Sequence, residues 1–290
     1  MADVLARTIS VCGNVRALAA VTTGVADEAR ARHGTAPTAT AALGRALTGG
    51  LLLAAATSKR DERLSLEFSG AGPLRGILVD ATPDGDARGF VFRPRTHLPP
   101  NGRGKLDVGG ALGAGVLCVS RVPLDGGQLY RSIVPLQTGE IGDDLTHFLV
   151  SSEQAPAAVG VGVWVEPDGR VGAAGGWLVQ ALPGAEPDVL DRLADRIERL
   201  PSPTALIREG CDAEGILAAL LGDVAQPALD ARAVRFRCRC SAERVRGAIL
   251  AMGQAEIADV LASEKRVDAT CEFCGTRWAV EEHELRGLLG

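Results

Sequence analysis

The sequence predicts an α+β fold in three parts, which meet at two changes of pattern along the chain. Residues 1–182 alternate short β-like runs with a few helices, which predicts a mixed α/β domain with antiparallel-rich sheets. Residues 183–232 turn to helical periodicity broken by proline and glycine, which predicts a helical linker. Residues 233–290 carry four of the seven cysteines in two close pairs, which predicts a small C-terminal domain organised around those thiols.

The composition is that of a soluble globular protein. Of 290 residues, 46% are hydrophobic and only 3% are aromatic, so the core must consist mainly of valine, leucine, isoleucine and alanine. The N-terminal stretch MADVLARTIS lacks the features of a secretory signal, and the longest apolar run is interrupted by Arg45. We therefore expect a cytoplasmic protein with no membrane partner. Thiols stay reduced in that compartment, so close cysteine pairs indicate metal or redox chemistry.

The N-terminal domain begins with two β-like runs, VLARTISV and VRALAAVTT, which are joined by the turn-like CGN. A helical segment then ends at Gly34, and a second helix begins near Pro37 and continues through alanine and leucine to Ala56. Seven further β-like runs follow, several of them separated by turn signals such as PDGD and EPDGR. One helix, GEIGDDLTHFLVSSEQ, interrupts these strands.

The predicted linker combines aliphatic residues with excess negative charge. It holds the whole formal net charge of −5, because residues 182–232 have ten acidic and five basic side chains while the remainder has 26 of each. Helices this short are marginal in isolation, so we expect neighbouring residues to hold them in place. Six aliphatic residues on these helices form the linker stripe, which would be exposed if the linker came loose: Leu190, Leu193, Ile197, Ile216, Leu217 and Leu220.

The two cysteine pairs are typical of a zinc site. Cys238 and Cys240 form a CxC pair, and Cys271 and Cys274 form a CxxC pair, with 30 residues between the pairs. Zinc accepts four thiolates in a tetrahedral shell, and domains this small often depend on a metal. Gly275 suits a tight metal-binding turn, because glycine readily adopts positive φ. The sequence therefore predicts a C-terminal zinc-binding domain in which these four cysteines hold one Zn²⁺ ion.

The residues around the CxC pair add two expectations. An extended strand would hold its two sulfurs apart, so we expect the backbone to bend there. The following SAERVRGAIL predicts a helix with Ser241 at its N-cap. The positive end of this helix and three basic side chains would favour nearby thiolates: Arg237, Arg239 and Arg244.

Two interpretations of such a zinc site stay open on spacing alone. A permanently closed site would only hold the small domain together. A switching site would respond to oxidation, since each pair is close enough to form a small-loop disulfide, and strained disulfides are generally the labile or regulatory class. Because metal binding supplies folding energy in small metal-binding domains, oxidising the ligands would then unfold the domain.

At these residues the chain resembles the thirty-three-kilodalton heat shock protein family, the redox-regulated holdase chaperones of bacteria. The C-terminal signature of that family is CxC followed by CEFCG, present here as CRCSAERV and CEFCGTRW. Further matches, in one order over nearly the full length, are APTATAALGRAL, GPLRGILVD, KLDVGGALGAG, TGEIGDDLTHFLVSSEQAP and AAGGWLVQALPGA. Several long motifs in one order are specific, whereas CxxC alone is not.

The resemblance implies a chaperone that binds unfolding client proteins without ATP, protects against oxidative and heat aggregation, and is not an enzyme. In that family the reduced, zinc-bound form is inactive. Oxidation joins sequence neighbours, here Cys238 with Cys240 and Cys271 with Cys274; zinc leaves, the zinc domain and linker unfold, and homodimers form. The linker stripe would then be available to client proteins, and the acidic side chains would keep the opened form soluble.

Two other function classes fit parts of the pattern. A thiol–disulfide oxidoreductase carries CxxC, but in a βαβ unit rather than near the C-terminus behind a second pair. A zinc-ribbon nucleic-acid-binding module would have a basic surface, whereas residues 233–290 have nine basic and nine acidic side chains, so we expect no nucleic-acid partner. The other cysteines match no ligand position, and we expect Cys12 and Cys118 to be small residues in or near strands and Cys211 to lie at the linker edge.

Overall fold

The structure is a computed structural model that describes residues 2–11 and 14–289. The chain divides into two compact units, residues 1–237 and 238–290. The second unit therefore begins at Cys238 rather than at Ala233, where the sequence places the boundary of the small domain. The reason is that residues 230–236 form two short strands within the sheets of unit 1. The division into three functional domains stays a prediction.

Unit 1 contains two sheets and seven α-helices in its described residues. The strands are β1 (Val4–Ile9), β2 (Val15–Val21), β3 (Glu62–Gly70), β4 (Gly76–Ala81), β5 (Asp86–Val91), β6 (Gly115–Pro123), β7 (Tyr130–Pro135), β8 (Ala157–Val165), β9 (Val171–Ala181), β10 (Asp230–Ala233) and β11 (Arg235–Phe236). The helices are α1 (Thr23–His33), α2 (Pro37–Thr57), α3 (Val108–Leu112), α4 (Ile141–Ser151), α5 (Pro187–Arg199), α6 (Pro203–Arg208) and α7 (Ala213–Leu221).

Sheet A has the strand order β10-β1-β2-β9-β8, and sheet B has the order β11-β5-β4-β3-β6-β7. All neighbouring strands pair antiparallel except β11, which runs parallel to β5. The first two strands pair directly, with Val4 opposite Val21 and Ile9 opposite Arg16. The predicted α+β class with antiparallel-rich sheets is therefore confirmed.

Helix α2 is the central helix of unit 1. It is long and apolar enough to span a bilayer, but 89% of its most apolar 18-residue window is buried within the protein. Its glycines allow close contact with both sheets: an added Cβ on Gly44 would lie 2.8 Å from Val163 of β8, and one on Gly50 would lie 3.0 Å from Val79 of β4. The predicted helix from near Pro37 to Ala56 is confirmed as α2, and most of its residues are buried.

Helices α5, α6 and α7, which we call the linker layer, pack on one face of sheet A. They share a buried hydrophobic cluster with strands β1, β2 and β9: Ala6, Val15, Ala17, Ala19, Val21, Ala173, Trp177, Val179, Leu193, Leu206, Ile207, Ala213, Ile216, Leu217, Leu220 and Leu221. A glycine permits this close packing, because an added Cβ on Gly175 of β9 would lie 2.5 Å from Cδ1 of Ile207 in α6. The expectation that neighbours hold the linker helices in place is confirmed.

Unit 2 contains α8 (Ala242–Leu250), α9 (Gln254–Ser263), β12 (Arg266–Thr270), β13 (Arg277–Glu281) and α10 (Glu282–Leu289). The predicted helix after the CxC pair is confirmed as α8, and Ser241 Oγ accepts a hydrogen bond from Arg244 N at 3.2 Å. Strands β12 and β13 form an antiparallel hairpin. The buried hydrophobic cluster of this unit is small and consists of Ile249, Ile257, Val280 and Leu285.

Candidate functional site

The four predicted ligand cysteines lie together in unit 2. The Sγ atoms of Cys238, Cys240, Cys271 and Cys274 are all within 4.8 Å of one another. Two contacts join one pair to the other: Cys238 Sγ lies 3.7 Å from Cys271 Sγ, and Cys240 Sγ lies 3.5 Å from Cys274 Sγ. The fold therefore converts two pairs that are distant in sequence into one cluster of sulfur atoms.

The hairpin of β12 and β13 positions the CxxC pair in its connecting turn. Cys271 N donates a hydrogen bond to Thr276 O at 2.9 Å, and Gly275 N donates one to Cys271 O at 2.8 Å. Gly275 has a φ of 70°, the left-handed conformation that glycine adopts without the steric cost of a Cβ. The expected tight turn at this glycine is confirmed, and it brings both sulfurs to the same side of the hairpin end.

The CxC pair lies between β11 and α8, in residues 237–241, which form neither helix nor strand. The sulfurs of this pair are therefore not held on a regular strand, and the expected bend of the backbone stays a prediction. One expected neighbour is elsewhere, because the Arg237 guanidinium pairs with Asp86 of β5 at 3.3 Å. The expectation that Arg237 would favour the thiolates is therefore wrong, since a carboxylate in unit 1 is its observed partner.

The sulfur cluster fits a soft, tetrahedrally coordinated metal ion. Zinc–sulfur bonds of about 2.3 Å in a tetrahedron place the sulfurs about 3.8 Å apart, and the two cross-pair distances are 3.7 and 3.5 Å. Four thiol donors without a carboxylate favour zinc over calcium or magnesium, which prefer oxygen ligands. Cys274 is buried and the other three cysteines are half-buried, so all four could hold such an ion.

The surroundings of Cys240, Cys271 and Cys274 shift the pKa values of these three thiols. Burial, with hydrogen bonds from Cys274 and Cys238, raises the pKa of Cys240 to about 12, and burial also raises the pKa of Cys271. Burial acts in the same direction on Cys274, but hydrogen bonds with the side chain and backbone of Thr276, and with Cys240 and Cys271, outweigh it and lower the pKa to about 7. Cys274 therefore becomes a thiolate more readily than Cys240 or Cys271.

The linker stripe lies at the interface between the linker layer and sheet A. Leu193, Ile216, Leu217 and Leu220 are buried there, while Leu190 and Ile197 are partly buried against the same cluster. Two further buried aliphatic residues of this interface lie on α6 and were not predicted from the sequence: Leu206 and Ile207. The signal for that helix was present in SPTALIR, where Ser202 caps the helix and proline occupies its first position.

The remaining cysteines lie apart from the cluster or outside the described residues. Cys118 is buried in β6 and accepts a hydrogen bond from Arg131 Nε at 2.9 Å, so its prediction as a small strand residue is confirmed. Cys211 is half-buried and packs against the linker layer cluster, just before α7. Cys12 lies outside the residues that the structure describes.

Comparison with known proteins decides the family. The family model for the Hsp33 protein matches residues 3–281. The chain belongs to the Hsp33 family. The resemblance found in the sequence motifs is thus confirmed. Because Hsp33 is a chaperone family, the membership of this chain supports the expectation that it is not an enzyme.

Relatives in the Hsp33 family match the chain from end to end. The 33 kDa chaperonin of Symbiobacterium thermophilum is 47% identical and covers 98% of this chain and 96% of its own length. The 33 kDa chaperonin of Acaryochloris marina is 44% identical over 100% and 97% of the two chains. The crystal structure of the 33 kDa chaperonin of Thermotoga maritima, a heat shock protein 33 homolog, has a TM-score of 0.92 at 33% identity and covers 100% of this chain and 98% of that chain.

Proposed function

We propose that this Hsp33-family chain is an ATP-independent holdase of the cytoplasmic stress response, activated when its four clustered cysteines are oxidised. The observation that carries this proposal is the sulfur cluster itself, within a unit whose buried hydrophobic cluster has four members among the residues that the structure describes. A domain with so little buried apolar surface depends strongly on any additional cross-link. Chemistry at the sulfurs therefore controls whether unit 2 is folded.

In the reduced state Cys238, Cys240, Cys271 and Cys274 would hold one Zn²⁺ ion. The ion would supply a four-way cross-link between the segment before α8 and the β12–β13 turn. The ligands are thiolates, so the protein's own contribution is to hold four sulfurs close together and to lower the cost of ionising Cys274 through Thr276.

Oxidation would remove these ligands in pairs. When two thiols form a disulfide, they lose two electrons and two protons; hydrogen peroxide accepts both and becomes two water molecules. Joining Cys238 to Cys240 and Cys271 to Cys274 consumes two peroxide molecules per chain. A disulfide sulfur is a poor zinc ligand, so the metal would no longer cross-link unit 2, and the unit would unfold.

The pairing of the cysteines can be measured directly. All four sulfurs lie within 4.8 Å, so proximity alone permits pairing within or between the two motifs. We expect peroxide treatment to give disulfides between sequence neighbours, because closing a very short loop requires no persistent fold once the first sulfurs react. Proteolysis without reduction, followed by mass spectrometry, should detect intact CxC and CxxC loops. Predominant linkage of Cys238 to Cys271 or of Cys240 to Cys274 would contradict this expectation.

Unfolding of the linker would expose two apolar surfaces for client proteins. One is the linker stripe, and the other is the face of sheet A beneath it, which includes Ala19, Ala173 and Trp177. Both are continuous and apolar, which is the character of surfaces that bind unfolded chains. The partners we propose are unfolding client proteins and a second copy of the oxidised chain in a homodimer, with neither nucleic acid nor membrane.

Hydrogen exchange tests the release of the linker. After oxidation we expect amide exchange in residues 183–232 to rise at least about tenfold, because helices this short keep few protected amides without tertiary packing. Exchange in α2 should stay slow, since that helix is buried independently of the linker layer. Mass-spectrometric exchange on reduced and oxidised full-length protein gives both measurements. If the oxidised protein binds client while residues 183–232 exchange as slowly as before, release of the linker is not the mechanism.

A further inference from the structure

Strand β11, which ends two residues before Cys238, forms one edge of sheet B. Strand β11 pairs with β5 in parallel, with Arg235 opposite Asp86 and Phe236 opposite Ala87. Arg235 N donates a hydrogen bond to Gly85 O at 2.9 Å, and Arg237 N donates one to Ala87 O at 2.7 Å. These are the backbone contacts that an added peptide strand makes with a sheet edge.

The side chains of this strand make contacts on both sides of its backbone. The Asp86 side chain, only 10% exposed, forms ion pairs with Arg235 Nε at 2.7 Å and with an Arg237 guanidinium nitrogen at 3.3 Å. Phe236 is buried, and the Arg32 guanidinium lies 5.3 Å from the centre of its ring. The edge thus binds a basic–aromatic–basic sequence through one carboxylate and one apolar contact.

The receiving edge is formed by residues that do not belong to β11. The turn before β5 is closed by a hydrogen bond from Thr82 N to Asp86 O at 2.9 Å. Gly85 in this turn has a φ of 96°, and an added Cβ would lie 2.5 Å from Ala233 O, so the glycine makes room for the incoming backbone. Strand β5 continues to Val91, so the edge is longer than the two residues that pair with it.

We infer that the β5 edge at Gly85, Asp86 and Ala87, together with Arg32 of α1, is a peptide-binding site that β11 occupies in the reduced protein. Its ligand is an extended segment of a client protein in which basic residues flank an aromatic or large apolar residue. Strand β11 acts as an internal substitute for that segment. The inference rests on the proposed function. Release of the linker before β11 and unfolding of unit 2 after it would leave this strand held only by its own contacts with β5. When β11 leaves the edge, Asp86 loses both ion pairs that it makes with Arg235 and Arg237.

The test uses a fluorescein-labelled peptide with the sequence of residues 231–237, Ala-Arg-Ala-Val-Arg-Phe-Arg. Its control has glutamate at the positions of Arg235 and Arg237. Fluorescence anisotropy with the full-length chain should show that the oxidised protein binds the basic peptide at least about tenfold more tightly than the control peptide. The reduced, zinc-loaded protein should bind the basic peptide at least about tenfold more weakly than the oxidised protein, since β11 competes for the edge.

A matched pair of variants locates the binding. Asp86→Asn should weaken binding of the basic peptide to the oxidised protein at least about tenfold, whereas Asp84→Asn, at an exposed position of the same turn, should leave binding unchanged. Equal binding of the two peptides by the oxidised wild-type protein would overturn the inference, and this comparison does not depend on how the variants fold.

Client aggregation measured on the same samples separates the two proposals. If oxidised protein suppresses aggregation but binds both peptides equally, the peptide site is wrong and the holdase proposal stands. If it selects the basic peptide without suppressing aggregation, the site is supported and the holdase proposal fails.

Discussion

The variant Ile216→Asp should suppress client aggregation in its reduced form, without any oxidant. Ile216 is fully buried in the cluster that joins the linker layer to sheet A. An ionised carboxylate there would cost more than the roughly 2–5 kcal/mol that truncating a buried isoleucine costs. The linker layer can avoid this cost by leaving the sheet, and its release exposes both apolar surfaces. The measurement is light scattering of a heat-denatured client in the presence of reduced, zinc-loaded variant.

A matched control lies on the same helix. Ala218 is exposed on α7, so Ala218→Asp adds the same charge without burying it and should leave the reduced protein inactive. Slow hydrogen exchange in α2 of the Ile216→Asp protein would show that the rest of unit 1 is folded. Should that variant have a freely exchanging linker and still fail to protect the client, the proposed binding surfaces would be wrong.

Removing the metal from the reduced protein should unfold unit 2. Structural zinc contributes about 10–16 kcal/mol in zinc-finger peptides, whereas a buried aliphatic side chain contributes about 1.5–3 kcal/mol. The described part of unit 2 has four such side chains in its buried cluster. The substitution Cys274→Ser should lower zinc affinity more than about a hundredfold, since even the loss of an outer partner costs 10–100-fold. Zinc titration with a competing chelator and hydrogen exchange in residues 238–290 measure both effects.

The control for this experiment is Cys211→Ser. Cys211 lies before α7 in unit 1 and is not part of the sulfur cluster. Its substitution should leave zinc affinity and exchange in unit 2 unchanged. A Cys274→Ser protein that retained wild-type zinc affinity, or a metal-free wild type in which residues 238–290 stayed protected, would show that the cluster does not stabilise this unit through a metal.

Local patterns in the sequence predicted most of unit 1. The spacing of aliphatic residues located α5 and α7, and the small-residue run from Pro37 located α2. The β-like runs from RLSLEFSG to GRVGAAGGWLVQAL correspond to strands β3 to β9. In each case the segment carries its own periodicity, and the turns between several of the strands contain glycine or proline. The short helix α3 was not predicted; it lies within the glycine-rich KLDVGGALGAG, where Asp107 caps it.

The sequence could not predict contacts between distant segments. Strands β10 and β11 are short, and only the sheet edges that they join make them strands. For the same reason the sequence did not indicate that the second compact unit begins at Cys238, and the predicted domain start at Ala233 stays a prediction. The four candidate ligands were found from the spacing of the cysteines alone, and the structure places their sulfurs within 4.8 Å of one another. The partner of Arg237 was not predicted, since Asp86 is distant in sequence and nothing local indicates the pairing.

The most direct test follows zinc release and protection of a client in one experiment. Reduced, zinc-loaded protein is exposed to hydrogen peroxide or hypochlorite, released zinc is detected with a chromogenic chelator, and samples are assayed for suppression of citrate synthase aggregation. We expect both signals to begin together and to rise in proportion. Full suppression by the reduced, zinc-loaded protein, or quantitative disulfide formation that leaves the chain folded and inactive, would contradict an oxidation-controlled holdase.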